Sequence, residues 1–283
     1  MAASARTGHV QYAVTGSEYS TAVCGVMGGS WGQKANLQKR KTIRGSGIWT
    51  PGLKVPTVNL NLWPVDANGF LGSILRASYP AGGLTENYLE VGDENRGIRG
   101  ASWVINTAEL SAQTEGLLAV NYEFMLCGKP ATTSGNKTPT PVTTYYEWYT
   151  GVLTVGSKKY RCRSISIKVN NNVIPCPTLD DKATDEGTYP DGYALGDEEV
   201  EISAEFESDL GINLFDTDAR HEAGSIVVAL TNTAYPASTC TITAVTPPLE
   251  SWESAFVDGN TVRTYVCNFV LDDNSGDLTI AIA

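Results

Sequence analysis

Apolar and polar residues alternate along most of the chain, and the alternating segments end at Gly, Pro, Asn or Asp. The clearest example is GDEEVEISAEFESD, residues 196–209. One side of this segment carries Val200, Ile202, Ala204 and Phe206, and the other carries Glu199, Glu201, Glu205 and Glu207. Because side chains alternate between the two faces of a β-strand, the pattern predicts a half-buried strand with a stripe of carboxylates on its exposed face.

Two segments depart from this alternation and have the period of a short helix. The first has Asn68 as a cap and an apolar face formed by Phe70, Leu71, Ile74 and Leu75. The second has Ser208 or Asp209 as a cap and an apolar face formed by Leu210, Leu214 and Phe215. Polar caps followed by apolar stripes mark the starts of helices. We therefore expect a mainly β protein with one short helix in each half.

The order of these elements occurs twice, at an offset of about 143 residues. In each half a strand leads into the helical segment, two further strands follow, and a tight turn precedes the last strand. The turns lie at Glu115-Gly116 and Asp258-Gly259. The repeat predicts two tandem mainly β units at 1–128 and 150–283, which a Pro- and Thr-rich linker at 129–149 joins.

The net charge of −11 is unevenly divided between the two predicted units. Residues 1–149 hold 10 acidic and 12 basic residues, a net of +2. Residues 150–283 hold 21 acidic and 8 basic residues, a net of −13. Because such an excess of carboxylates repels phosphates, we do not expect the second unit to bind nucleic acid in the ordinary way.

The long loops of the two units carry opposite charges. The first loop region contains Trp31, Lys34, Lys39, Arg40, Lys41, Arg44 and Trp49. The second contains Asp180, Asp181, Asp185 and Glu186. One interpretation is two solvated loops. The other is that basic and acidic loops of different copies meet, since complementary patches orient association, and Trp and Arg are common at interface hot spots.

The sequence contains no nucleophile elbow, phosphate-binding loop or HExxH motif, and it has only two histidines. Its six cysteines are scattered without a CxxC pair, so we expect free thiols and no zinc site. The glutamate stripe would suit a glycosidase only beside a cleft with aromatic residues, and the sequence shows no such grouping. We expect no catalytic residue, no metal and no cofactor.

Several segments resemble the tail tube proteins of long-tailed bacteriophages. They are YRCRSISIKVNNNV, EVEISAEFESDLGINLF followed by SIVVALT, GASWVINTAELSAQTEGLLAVNYEFMLCGK, and DGNTVRTYVCNFVL. Together they cover most of residues 8–283. The resemblance implies two tandem tail-tube-type β-sandwich or barrel units, each with one short flanking helix. It also implies a structural virion protein rather than an enzyme.

The same resemblance implies a set of partners. Chains would assemble with one another into stacked rings, and three duplicated chains would give a ring with approximate sixfold symmetry. The hollow tube would pass viral double-stranded DNA without sequence-specific binding, and it would contact the tape-measure, terminator and tip proteins. We expect assembly in the host cytoplasm into a virion tail, because the first residues lack a signal-peptide core and no apolar run is long enough for a membrane span.

Three alternatives are open at this stage. The first is another ring-forming virion component, such as a terminator, a baseplate ring or the tube of a contractile injection system. The second is a β-sandwich adhesin with calcium in its acidic loops, and the third is a carboxylate-dependent glycosidase. The counterpart of the glutamate stripe in the first unit is a face with Thr57, Asn59 and Asn61. We therefore interpret the glutamates as a surface that faces a pore or a neighbouring subunit.

Overall fold

The computed structural model describes the strands of the chain and part of the connections between them. The described residues are 9–13, 21–22, 26–35, 38–41, 47–50, 52–64, 70–76, 83–93, 96–114, 116–133, 146, 152–155, 158–160, 162–176, 189–207, 225–231, 239–245, 249–254, 264–271 and 278–282. The second expected helix and most of the expected linker at 129–149 lie outside them, whereas residues 129–133 and 146 of that linker are described.

Strands account for almost all regular structure of the described residues, so the prediction of a mainly β protein is confirmed. The first half contains β1 (His9–Ala13), β2 (Thr21–Ala22), β3 (Val26–Ala35), β4 (Gln38–Lys41), β5 (Gly47–Thr50), β6 (Lys54–Leu62), β7 (Asn87–Gly92), β8 (Gly97–Gln113), β9 (Ala119–Leu126) and β10 (Ala131–Thr133). The second half contains β11 (Val152–Val155), β12 (Lys158–Tyr160), β13 (Cys162–Asn170), β14 (Val173–Cys176), β15 (Gly192–Leu195), β16 (Glu199–Glu207), β17 (Ile226–Thr231), β18 (Thr239–Ala244), β19 (Leu249–Ser254), β20 (Thr264–Leu271) and β21 (Leu278–Ile282).

Eight strands from both halves follow one another in a single antiparallel sheet, in the order β3-β6-β9-β8-β13-β16-β20-β19. We call this run the long sheet. The first four strands belong to the first half and the last four to the second. The pairing of β8 with β13 joins the halves, because Glu109 lies opposite Lys168 and Ala112 opposite Ile165.

The long strand β8 takes part in two layers. Its C-terminal part lies in the long sheet, whereas its N-terminal part pairs with β7 and β10, and β7 pairs with β1. In the second half the corresponding layer is a separate sheet in the order β12-β11-β17-β18-β21. Buried residues of both layers form one core cluster, with Ile167 and Ile202 on one side and Val228 and Ile242 on the other. This is the arrangement of a β-sandwich.

The order of strand pairing occurs twice. The ladder β3-β6-β9-β8 of the first half has the same order as β13-β16-β20-β19 of the second. The irregularities match as well. A bulge between Val26 and Gly28 corresponds to one between Cys162 and Ser164. A second bulge leaves Asn106 out of the β8·β9 register, and its counterpart leaves Glu250 out of the β19·β20 register.

The first expected helix is reduced to a three-residue 3-10 helix, Leu71–Ser73. Phe70 precedes it with a left-handed φ of 60°, so the chain enters from a conformation that does not start an α-helix. The apolar face was nevertheless correctly identified, because Phe70, Leu71 and Ile74 are buried. The predicted cap Asn68 lies outside the described residues.

Candidate assembly surfaces

One face of the long sheet is apolar and buried, and the other is polar. On β16 the core side carries Val200, Ile202 and Ala204, which are at most 5% exposed. This confirms the core side that the alternation predicted. Direct cross-strand pairing assigns the opposite side chains to one surface, which we call the polar face. It contains Ser30, Lys34, Thr57, Asn59, Asn61, Asn121, Glu123, Thr107, Glu109, Ser111, Gln113, Ser164, Ser166, Lys168, Asn170, Glu199, Glu201, Ser203, Glu205, Asn268, Ser251 and Glu253.

Carboxylates outnumber cations on the polar face. Its described acidic residues are Glu109, Glu123, Glu199, Glu201, Glu205 and Glu253, and its described basic residues are Lys34 and Lys168. Lys168 Nζ lies 3.2 Å from Glu201 Oε2, and the two side chains are 52% and 62% exposed. Because a pair this exposed contributes about 0–1 kcal/mol, the face is held together by its backbone ladders rather than by this ion pair.

The two outer strands of the long sheet, β3 and β19, each have one pairing partner in the described part of the chain. β3 pairs with β6, and β19 pairs with β20. The other side of each strand is an edge that presents backbone donors and acceptors, which invites pairing with another strand. β3 also exposes large side chains, since Met27 is 43% and Trp31 is 37% exposed. Apolar exposure along an open edge is typical of an association surface.

A polar cluster fixes the junction between β8 and β13. The side-chain amide of Asn171, which is fully buried, donates to the carbonyl oxygens of Ile74 and Ile105 at 2.9 and 3.0 Å. Arg76 donates to the carbonyl oxygens of Asn171 and Gly196 at 2.9 and 2.6 Å. These bonds cross from one half of the chain to the other, and each satisfies a carbonyl group that is partly or fully shielded from water.

Arg76 also lies next to a carboxylate. Its Nε is 3.8 Å from Glu198 Oε2, and the two side chains are only 4% and 13% exposed. A guanidinium with this little exposure needs such acceptors, because burial of an unpaired charge is costly. The junction therefore combines a backbone ladder with a shielded charge pair.

A hairpin of β14 and β15 covers the end of the first half of the long sheet. Val173, at the start of β14, packs with Leu84 and Val104 in a small apolar cluster. The hydroxyl of Tyr193 on β15 donates to the carbonyl oxygen of Leu84 at 3.2 Å. Burial, helped by the nearby carboxylate of Glu86, raises the pKa of Tyr193. The hydroxyl therefore stays protonated and able to donate over the ordinary pH range.

A family model described as phage tail tube protein matches residues 3–269. The chain belongs to this family. The match covers nearly the whole chain and includes every strand of the long sheet except the last residues of β20. No curated protein matches the chain. The molecule is therefore a structural tail tube protein, a component of the virion tail, and tail tube proteins assemble with one another and with other tail components.

In this tail tube protein the described residues of the basic loop lie on three strands. Trp31 and Lys34 lie on β3, while Lys39, Arg40 and Lys41 lie on β4 and Trp49 on β5. The sequence suggested a loop here, and the structure contains the hairpin β4·β5. Arg44 and the acidic residues Asp180, Asp181, Asp185 and Glu186 lie outside the described residues. Their pairing across copies stays a prediction.

The glutamate stripe of the tail tube protein lies on β16, in the middle of the second half of the long sheet. Glu199 and Glu201 are exposed and Glu205 is half-buried, and Glu207 is the last residue of the strand. Sequence reasoning missed the other side chains of the same surface, above all Glu109, Glu123 and Lys168. Their common face follows from pairing between distant strands, which no local pattern shows.

Burial keeps four cysteine thiols of the tail tube protein protonated. It raises the pKa of Cys162 and Cys240 to about 12 and that of Cys127 and Cys267 to about 11. Free thiols are seen at Cys127, Cys162, Cys176, Cys240 and Cys267. Across the described ranges, no group of three or more His, Cys, Asp or Glu is placed to hold a metal ion, and no helix is long and apolar enough to cross a membrane.

Proposed function

We propose that this protein is the major tail tube subunit, whose copies join into rings by pairing β19 of one copy with β3 of the next. The rings stack into a hollow tube that passes viral DNA, with the polar face of the long sheet toward the lumen. The role is structural and involves no catalysis or cofactor. The tape-measure and terminator or tip proteins would meet this tube, which would be assembled in the host cytoplasm.

The observation that carries this proposal is the pairing of β8 with β13 inside the chain. If the chain is a tandem duplication, β19 is the counterpart of the C-terminal part of β8, and β3 is the counterpart of β13. The matched order of ladders and the two matched bulges support that correspondence. The two outer strands, β19 and β3, are then the counterparts of β8 and β13, which pair with each other inside the chain. A head-to-tail contact of this kind closes into a ring when the rotation permits.

The proposal fixes a register between copies. Within the chain Glu109 lies opposite Lys168. Alignment of the ladders by their bulges places Glu253 at the position of Glu109 and Gly32 at the position of Lys168. Glu253 of one copy should therefore lie opposite Gly32 of the next. Lys34 would then stand diagonally from Glu253, at a distance that long side chains can bridge.

The composition of the polar face suits a lumen for DNA. Asn, Ser and Thr side chains provide a hydrated wall, and the six described carboxylates against Lys34 and Lys168 give it a negative charge. Such a wall repels the phosphate backbone, so a duplex can slide without being gripped. In a ring of three chains, the more acidic panels of the second half would alternate with the less acidic panels of the first, which hold Glu109 and Glu123 against Lys34.

Negative-stain microscopy and mass photometry of the purified protein test this function. Three chains of 30.3 kDa give rings of about 91 kDa, and stacked rings appear as hollow tubes. A particle that stays at the mass of one chain at micromolar concentration, with no rings or tubes in the images, would contradict the proposal. A closed ring of six chains would be compatible with a tube, but it would refute the proposal that three chains with two halves each complete the ring.

A further inference from the structure

The hairpin β14·β15 is a clasp that reaches from the second half of the chain onto the first. The backbone N–H of Val173 donates to Asn106 Oδ1 at 3.0 Å, and Asn106 is the residue left out of register by the bulge in β8·β9. The N–H of Asn171 donates to the carbonyl oxygen of the same Asn106 at 2.8 Å. Asn106 therefore accepts both backbone hydrogen bonds that anchor the start of the hairpin to the first half.

The segment before β15 extends the same contact to the far strands of the first half. The hydroxyl of Tyr189 donates to Gln33 Oε1 on β3 at 3.3 Å. Lys54 Nζ, at the start of β6, lies 5.5 Å from the centre of the Tyr189 ring, within the range of a cation–π contact. The clasp thus runs across the end of the first half from β8 to β3.

The first half has its own copy of this hairpin. β4 follows β3 as β14 follows β13, and the two hairpins share the same antiparallel pairing, with Gln38 opposite Thr50 and Val173 opposite Leu195. In a single chain β3 is an outer strand of the long sheet, so the β4·β5 hairpin follows a strand whose open edge has no neighbouring half beside it. Among the described strands β4 and β5 pair only with each other, so we look for their docking surface on another molecule that continues the sheet.

We propose that the β4·β5 hairpin of each chain docks across the end of the second half of the next copy in the ring, as β14·β15 docks on the first half within the chain. This inference rests on the proposed ring. It assigns the basic loop to contacts within a ring rather than between stacked rings. The partner is a second copy of this chain, and Glu250, at the position of Asn106, supplies the carboxylate that attracts the basic hairpin.

The charges on the two sides are complementary. β4 carries Lys39, Arg40 and Lys41, where β14 carries Ile174, Pro175 and Cys176. On the receiving side, the carboxylate of Glu250 replaces the neutral amide of Asn106 when the ladders are aligned by their bulges. Glu250 lies exposed on β19. The mainly uncharged clasp inside the chain is thereby replaced by opposite charges between chains.

Because the two hairpins and the two docking surfaces differ in charge, each hairpin has one favourable docking surface. The basic hairpin is attracted to Glu250 of a second half, whereas the first half offers the neutral Asn106 and the cation of Lys54. Complementary charges of this kind orient association and exclude wrong pairings. First and second halves must then alternate around the ring, which is the order that a closed ring of duplicated chains requires.

Charge reversal tests the docking site. Lys39→Glu with Lys41→Glu should abolish rings and leave folded single chains, while the matched control Lys158→Glu with Lys159→Glu, on the outer strand β12, should assemble like the parent. Adding Glu250→Lys to the first variant should restore at least half of the rings. Thermal melts and circular dichroism check that each variant is folded.

The outcomes separate this inference from the proposed function. Isolated closed rings from the Lys39 and Lys41 variant would place the hairpin between rings and overturn the inference. Assembly equal to that of the parent would overturn it too, as would failure of Glu250→Lys to restore any rings. A parent protein that forms no rings would instead refute the proposed function.

Discussion

Asn171 allows the junction between the two halves to be tested quantitatively. Its side chain is fully buried and donates two hydrogen bonds, to the carbonyl oxygens of Ile74 and Ile105. Asn171→Ala removes both donors and leaves both acceptors shielded from water. Each unsatisfied buried group costs about 1–3 kcal/mol, so the loss of both bonds should lower the free energy of unfolding by about 2–6 kcal/mol. That is a large share of the roughly 5–15 kcal/mol that stabilises most native proteins.

Urea unfolding followed by tryptophan fluorescence measures this change. The matched control is Asn121→Ala, because Asn121 is the same residue type on the exposed polar face of β9. A surface substitution of that kind should change the free energy of unfolding by less than about 0.5 kcal/mol. If Asn171→Ala lost no more stability than Asn121→Ala, the junction would not depend on the buried amide, and the argument that it joins the halves would fail.

Three further predictions concern the core, the thiols and the polar face. Trp103→Ala, at a fully buried position, should lower the free energy of unfolding by about 3–5 kcal/mol in the same assay, and a loss below 1 kcal/mol would contradict the core assignment. Burial keeps Cys162 and Cys240 protonated up to a pKa of about 12, while unfolded thiols ionise near 9, so stability should fall as pH rises from 9 towards 12. Melting temperatures at pH 8 and 10 check this. The melting temperature of Cys240→Ala should fall less between these pH values than that of the parent. An equal fall would refute the role of the buried Cys240 thiol in this pH dependence. Glu201→Lys with Glu205→Lys should still form tubes but make them retain duplex DNA at low salt in a co-sedimentation assay, whereas equal retention by the parent would argue against a repelling lumen.

Local sequence patterns were sufficient for the strands and their core sides. The alternation around Val200 and Ile202 predicted the buried side of β16 because a period of two depends only on neighbouring residues. The apolar positions Leu71 and Ile74 were also identified correctly. The helix itself was overestimated, since the left-handed backbone at Phe70 is a conformation that a propensity argument does not foresee.

The assembly surfaces needed the structure. The pairing of Glu109 with Lys168 joins strands almost sixty residues apart, and its register leaves no mark on either local pattern. The burial of Asn171 and Arg76 was equally hidden, because polar residues at strand ends normally suggest exposed turns. The offset between the halves was visible in the sequence, but the matched bulges that align individual residues were not.

A cross-link between copies tests the ring-closing edge most directly. Glu253→Cys combined with Gly32→Cys should form disulfides between chains in assembled tubes, because directly opposite residues lie about 4.5–5.5 Å apart. The space beside Gly32 is open, so a larger side chain fits there. The control pairs Glu253→Cys with Ser30→Cys, two positions away on β3, where the separation of about 7–8 Å is too large. Covalent two- and three-chain species are expected on a non-reducing gel for the first pair alone. Equal cross-linking by the control, or tubes of the first pair that dissociate into single chains, would contradict it.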